Sequence, residues 1–338
     1  MRTLRAFVLV VALLFSLSAQ IVSVQGGEIK KSFKDVKEVR IKTVSGNCVI
    51  EKGSTPEVAV LLTYSYDDED YEPELEQRGD RLLLTEQFFG RHATGESTWR
   101  LTVPEKIDIT FSTASGDFEA ADLTSLLKAS TASGNVRLRN LKGEFDLNTA
   151  SGEIDAQNLD GRIEMNTASG DITLAGVSTE LDINTASGRI DAQDLKGKIK
   201  INSASGNISV STASGEFEIN AASGDITARG VIIEQASILK AASGDVEVTL
   251  GKNLSNDLSL HSASGDAVLN FNNHPIAGFI KMTAKVRRGS IRAPFEFDEE
   301  DTYYRGDDEY VTKTVKKGSD TPIIEIRTAS GDAVLLEK

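Results

Sequence analysis

The sequence predicts an all-β protein: a single-stranded parallel β-helix, or β-solenoid, with 18-residue coils made of two nine-residue halves. Three observations predict it. First, the phrase Thr-Ala-Ser-Gly starts at Thr113, Thr131, Thr149, Thr167, Thr185, Thr212 and Thr328, with close variants at Thr43, Ser203, Ala221, Ala241 and Ser262. Second, the closing glycines Gly116, Gly134, Gly152, Gly170, Gly188 and Gly206 recur every 18 residues, and Gly215 and Gly224 follow at steps of nine. Third, apolar residues between them alternate, as in Ile172 and Leu174 or Ile199 and Ile201, which is the period of a strand. No helical stripe appears between Glu105 and Gly230.

Each half is a short strand ended by Gly, Asn, Ser or Asp, residues that favour turns. A coil is therefore two short strands and two bends. One coil cannot bury enough apolar surface to stay ordered alone, so its stability comes from stacking on neighbours in parallel, about 4.8 Å apart. Roughly eight coils between Gly116 and Gly265 make a rod of about 40 Å. Parallel crossovers are generally right-handed, and the same hand is expected here. The Ala of the repeated phrase is expected to point inward, with Thr and Ser in outward rows on either side.

The elements follow in chain order. Residues 1–26 read as a signal peptide: Arg2 and Arg5 give the positive start, Ala6 to Phe15 the apolar run, and cleavage would follow Ala19 or Gly26. The run is short for a spanning helix, and no cysteine near its end offers a lipid anchor. No later apolar stretch could cross a bilayer as a helix, so the mature chain is expected to lack a membrane span.

Residues 27–104 carry one early copy of the phrase at Thr43, strand-like runs at Val58–Tyr64 and 81–86, and an acidic loop at 67–76 between them. They read as irregular first coils or an N-terminal β cap, since a terminal repeat must cover an open end. Residues 105–272 form the regular solenoid. Residues 273–338 read as C-terminal irregular coils, a loop and a cap. They hold a basic cluster at Lys285, Arg288 and Arg292, an acidic run at 298–308 with Tyr303, Tyr304 and Tyr310, and the isolated last copy at Thr328.

Several of these features together resemble a bacterial exported adhesin-like β-strand-repeat family, the one with domain of unknown function 4097. The carrying residues are Leu-Thr-Val-Pro at 101–104, Ile-Asp-Ile-Thr-Phe-Ser-Thr-Ala-Ser-Gly-Asp at 107–117, Thr-Ala-Ser-Gly-Asp-Ile at 167–172 and the last copy at 328–332. The resemblance covers most of the chain after residue 26. It implies a β-solenoid exposed at the cell envelope or outside, and names no ligand.

Composition narrows the function. The formal charge of −14 becomes −16 once Arg2 and Arg5 are removed, which argues against nucleic acid and against simple attraction to anionic lipid. Cys48 is the only cysteine, so no intrachain disulfide forms, and it takes the inward place that isoleucine holds in other coils. A nine-residue Gly/Asp repeat raises calcium, but Asp follows Gly directly and Arg189 interrupts the row. Asn148, Asn166, Asn184, Asn202 and Asn220 are spaced to exchange amide hydrogen bonds along the rod, and His261 falls on the same row. Flat Thr-x-Ser rows raise ice or glycan binding, although Ala221 and Ala241 break the Thr row.

The remaining histidines, His92 and His274, join no ligand cluster, and no nucleophile elbow or phosphate loop is present. The expectation is a non-enzymatic, exported, adhesin-like solenoid that binds a surface, a glycan or a protein partner at the cell envelope, such as a cell-surface glycan or an envelope protein, with no catalytic, cofactor or metal residues. Two alternatives stand beside it: a structural or envelope-stress component without a dedicated ligand, and a carbohydrate-active β-helix enzyme using paired carboxylates.

Overall fold

A computed structural model of the chain describes residues 26–89 and 93–338. Residues 1–25 of the expected signal peptide, and His92, lie outside these residues. The described chain is all-β, and its core is a parallel β-solenoid with the 18-residue coil.

The central coils are the strands Val136–Thr149, Ile154–Thr167, Ile172–Ser187 and Ile190–Ser205. Each pairs in parallel with the next at the same place in the repeat, so Leu147, Met165, Ile183 and Ile201 stand in one column. Each of these four coils is one long strand bent between its two halves, with only the bend residue missing from the ladder, whereas flanking coils such as Ile208–Ser211 with Ser214–Ser223 are split into two strands. The bend is made by a left-handed residue, Asn140, Asn158 or Asp194, all at φ 55°. Asn and Asp tolerate this conformation better than other side chains. The left-handed residue also resets the alternation: Leu138 and Leu141 both face the core although they are three apart.

The second bend is the repeated phrase, and here the expected orientation is reversed. Thr131, Thr149, Thr167 and Thr185 are buried, whereas the Ala and Ser that follow each of them are exposed. The strand's own alternation explains this. Counting on from Phe145 and Leu147 puts Thr149 inward, and Ala150 is already in the turn. The inward hydroxyl is then used: Thr149 Oγ1 accepts from the Gly152 amide at 2.8 Å, and the bonds from Gly134 to Thr131 and from Gly170 to Thr167 repeat it. Only the copy at Thr212 behaves as expected. It stands at the other bend, where Thr212 is left-handed at φ 51° and Ala213 takes the buried place of Leu195.

Cys48 is fully buried in the column Trp99, Cys48, Phe118, Val136, Ile154, where burial pushes its thiol pKa up. Its small side chain sits between two aromatic rows.

Both ends are built by the same device. At the N-terminal end, strands Glu38–Lys42 and Asn47–Lys52 stack directly under Asp108–Thr113 and Phe118–Ala121. Strands Arg81–Phe88 and Ser97–Val103, later in sequence, lie outside them. Antiparallel strands then finish the rod: Val58–Tyr64 and Gly27–Phe33 on one face, Tyr71–Arg78 on the other. Most of the segment read as an acidic loop is therefore a strand. Tyr71 faces the core while Glu72 and Glu74 face solvent. At the C-terminal end, strands Ile323–Ser330 and Ala333–Leu336 stack on Leu258–Ser264 and Ala267–Asn270. Strands Gly278–Lys285 and Ile291–Arg292, earlier in sequence, lie outside them. The isolated copy at Thr328 is thus next to the copy at Ser262 in space, and Thr328 Oγ1 donates to the Gly265 carbonyl at 2.9 Å. The antiparallel strands Asp308–Lys317 and Glu299–Arg305 complete this end as a hairpin.

Candidate ligand groove

The asparagine row is formed as the spacing predicts. Nδ2 of Asn166, Asn184, Asn202 and Asn220 each donates to Oδ1 of the asparagine one coil earlier, at 3.0–3.1 Å. After Asn220 the row continues through Lys240, His261 and Arg327, which are paired on successive strands. A ladder of neutral amides thus becomes a line of cationic and imidazole side chains, one per coil and about 4.8 Å apart.

This part of the rod borders a groove of about 550 Å³. Its floor is the outward alanines of the repeated phrase, such as Ala222, Ala242 and Ala263. One wall is the row itself. The C-terminal hairpin adds Tyr310, which is buried, and Arg305, which is exposed. Tyr310 stacks on Tyr303 with ring centres 5.4 Å apart, and the Arg327 guanidinium lies 5.9 Å from the Tyr310 ring. No carboxylate lines the groove.

His261 is half-buried. Burial lowers its pKa, Glu325 opposes the shift, and Lys240 and Arg327 reinforce it. Its Nε2 is 3.5 Å from Glu325, too far for a good hydrogen bond, and the Glu325 carboxylate is shared with Lys281, also at 3.5 Å. Burial and the two flanking cations thus disfavour a proton on the imidazole at the centre of the row. His274 is in a turn, where its amide donates to the Phe271 carbonyl at 2.9 Å.

The other sequence candidates are structural. The post-glycine row ties coils together: Asn135 N donates to Asp117 Oδ1 at 2.8 Å, Glu153 N to Asn135 Oδ1 at 2.9 Å, and Asp332 N to Asp266 Oδ1 at 2.7 Å. These side chains accept from backbone, which is why Asp or Asn so often follows the glycine. The basic cluster is dispersed: Lys285 pairs with Asp308 at 2.5 Å and Arg292 with Asp332 at 2.8 Å. Among the described residues, no three His, Cys, Asp or Glu gather as a metal site, and no helix is long and apolar enough to cross a membrane.

Glu86 was not singled out by sequence. Its carboxylate accepts from Val44 N at 2.9 Å, Trp99 Nε1 at 3.1 Å, Tyr71 OH at 3.1 Å and Ser97 Oγ. It ends the corner column where a further coil would otherwise stack. The groove itself was also missed, since Arg305, Tyr310 and Arg327 are far from Asn202 in sequence. The one available signal was the histidine on the asparagine row.

The stacked 18-residue coils define a repeat protein of the parallel β-solenoid class. The Toastrack DUF4097 family profile matches residues 36–235 and 210–335, and the chain belongs to that family. No curated protein matches it. Among solved structures it is similar to a candidate cell adhesion protein of Clostridium sporogenes, 11% identical, covering 93% of this chain and 100% of that one at a TM-score of 0.20. It is also similar to a candidate lipid-binding protein of Parabacteroides distasonis, 13% identical, covering 92% and 96% at 0.33. A candidate adhesin of the same organism is 13% identical, covering 92% and 97% at 0.25.

Proposed function

We propose that the chain is an exported, non-catalytic binding protein of the cell envelope, with the groove beside the asparagine row as its contact surface for a surface glycan or envelope protein. The observation that carries this reading is the hairpin Glu299–Lys317 region meeting the rod: it turns a plain solenoid corner into a concave, polar surface. Long connections in compact folds often carry binding. The lining supports binding rather than glycoside hydrolysis, which uses two carboxyl groups, because the groove has amides, cations and hydroxyls instead. The family and the charged segment at 1–26 support export.

The test is a binding screen of residues 27–338 against envelope polysaccharides and envelope extracts, run beside a variant with Ala263→Trp in the groove floor. Binding by the parent chain that the tryptophan abolishes supports the reading. A parent chain that binds nothing, or a variant that binds equally well, overturns it.

A further inference from the structure

In a chain with 51 acidic and 37 basic residues, an extended surface without a carboxylate is unusual, and this groove has none. It has three cations instead. Lys240, Arg305 and Arg327 make no ion pair with any described carboxylate; other cations of the rod, such as Lys196 and Arg229, are also unpaired, but these three line one concave surface. Glu325, two residues before Arg327 on the same strand and outside the row, is turned to Lys281 and His261. Asp308 and Glu309 at the hairpin tip are held by Lys285 and the Tyr304 hydroxyl. The positive ends are thus left facing a concave space while their natural partners are engaged elsewhere.

We infer that the groove takes an acidic glycan, with Lys240, Arg327 and Arg305 receiving its carboxylate or sulfate groups and Asn202 and Asn220 its hydroxyls. This rests on the groove being the contact surface proposed above. The geometry suits a chain of sugars more than a single anion. The row offers one polar side chain per coil at a repeat of about 4.8 Å, which is comparable to the length of one sugar ring. Arginine also gives two-pronged bonds to a carboxylate or sulfate, and the Tyr310 ring beside Arg327 holds the guanidinium in place. His261, between the two cations, offers a ring nitrogen to a hydroxyl; its Nε2 has no hydrogen-bond partner of its own. The chain as a whole carries a net charge of −14, so a polyanion is favoured where cations gather without carboxylates, as they do in this groove.

The test pairs each acidic polysaccharide with its neutral counterpart: polygalacturonate with its methyl ester, and dextran sulfate with dextran. Residues 27–338 are expected to bind the acidic member of a pair and not the neutral one, with affinity falling as salt rises. Lys240→Gln with Arg327→Gln is expected to weaken that binding roughly tenfold or more. Lys196→Gln with Arg229→Gln removes the same charge outside the groove and should leave it unchanged. The circular dichroism of both double variants should match the parent. Equal binding of acidic and neutral members, unaffected by the groove variant, overturns the acidic-glycan inference and leaves the binding reading standing. Equal loss in both double variants places the contact elsewhere and overturns it too. Stronger binding to single-stranded DNA than to either acidic polysaccharide overturns the glycan assignment. No binding to any probe overturns both.

Discussion

Gly152 lies directly over Gly134, so close that a methyl group on it would overlap the Gly134 carbonyl oxygen. The same relationship runs along the corner from Gly116 to Gly206. Neither glycine has a positive φ, so close approach alone excludes a side chain there.

Gly152→Ala is therefore expected to lower stability by about 3 kcal/mol. The check is the midpoint of urea unfolding followed by far-ultraviolet circular dichroism. An unchanged midpoint would show that neighbouring coils can separate at no cost.

Thr179 interrupts the other glycine column. It pairs with Gly161 and Gly197 but keeps their backbone, at φ 108°, which a β-branched residue rarely adopts. Thr179→Gly is expected to gain about 1 kcal/mol, the relief of strain less the added freedom of the unfolded chain. Calorimetry should show a higher melting temperature; a lower one would mean that the bond from its hydroxyl to Asp160 at 3.3 Å outweighs the strain.

Thr149 tests the orientation of the repeated phrase. Thr149→Val keeps the shape but leaves the Gly152 amide without its acceptor, at about 1–3 kcal/mol. Thr149→Ser keeps the acceptor and should lose only about 1 kcal/mol for the methyl group. Equal effects, or none for valine, would fit an outward threonine and contradict the buried one.

Asn184 donates to Asn166 and accepts from Asn202. Asn184→Asp removes the donor and sets two oxygens against each other, which is expected to lower stability by about 1–2 kcal/mol. Amide hydrogen exchange in the strands on either side should quicken, while exchange at both end caps stays the same.

His261 gives the fold a small dependence on pH. Its folded pKa is below the ordinary 6.5, through burial first and Lys240 and Arg327 after it, with Glu325 opposing. As pH falls through that ordinary value the unfolded chain takes up a proton that the folded chain resists. The stability is thus present above it and lost below it. The fall in urea midpoint between neutral and mildly acidic pH should be smaller in His261→Asn than in the parent. A fall of equal size in both would assign the dependence to other groups.

Much of the fold could be read from the chain alone because a solenoid copies one local backbone path into every coil. The 18-residue spacing of the glycines, the buried Cys48 column and the asparagine row all follow from that path, so period and residue type suffice to place them. Three things did not follow from it. Which side of Thr-Ala-Ser-Gly faces the core depends on where the alternation is broken, and a left-handed residue such as Asn140 or Thr212 shifts it by one without changing the period. The order of coils at the ends depends on pairing across long stretches of chain: residues 323–336 stack inside 278–292, and the local pattern is the same for either order. The groove exists only because that exchange brings the hairpin carrying Arg305 and Tyr310 back onto coils that the repeat had already completed. A repeat is set by contacts between equivalent positions, whereas a binding surface here arises where inequivalent segments meet.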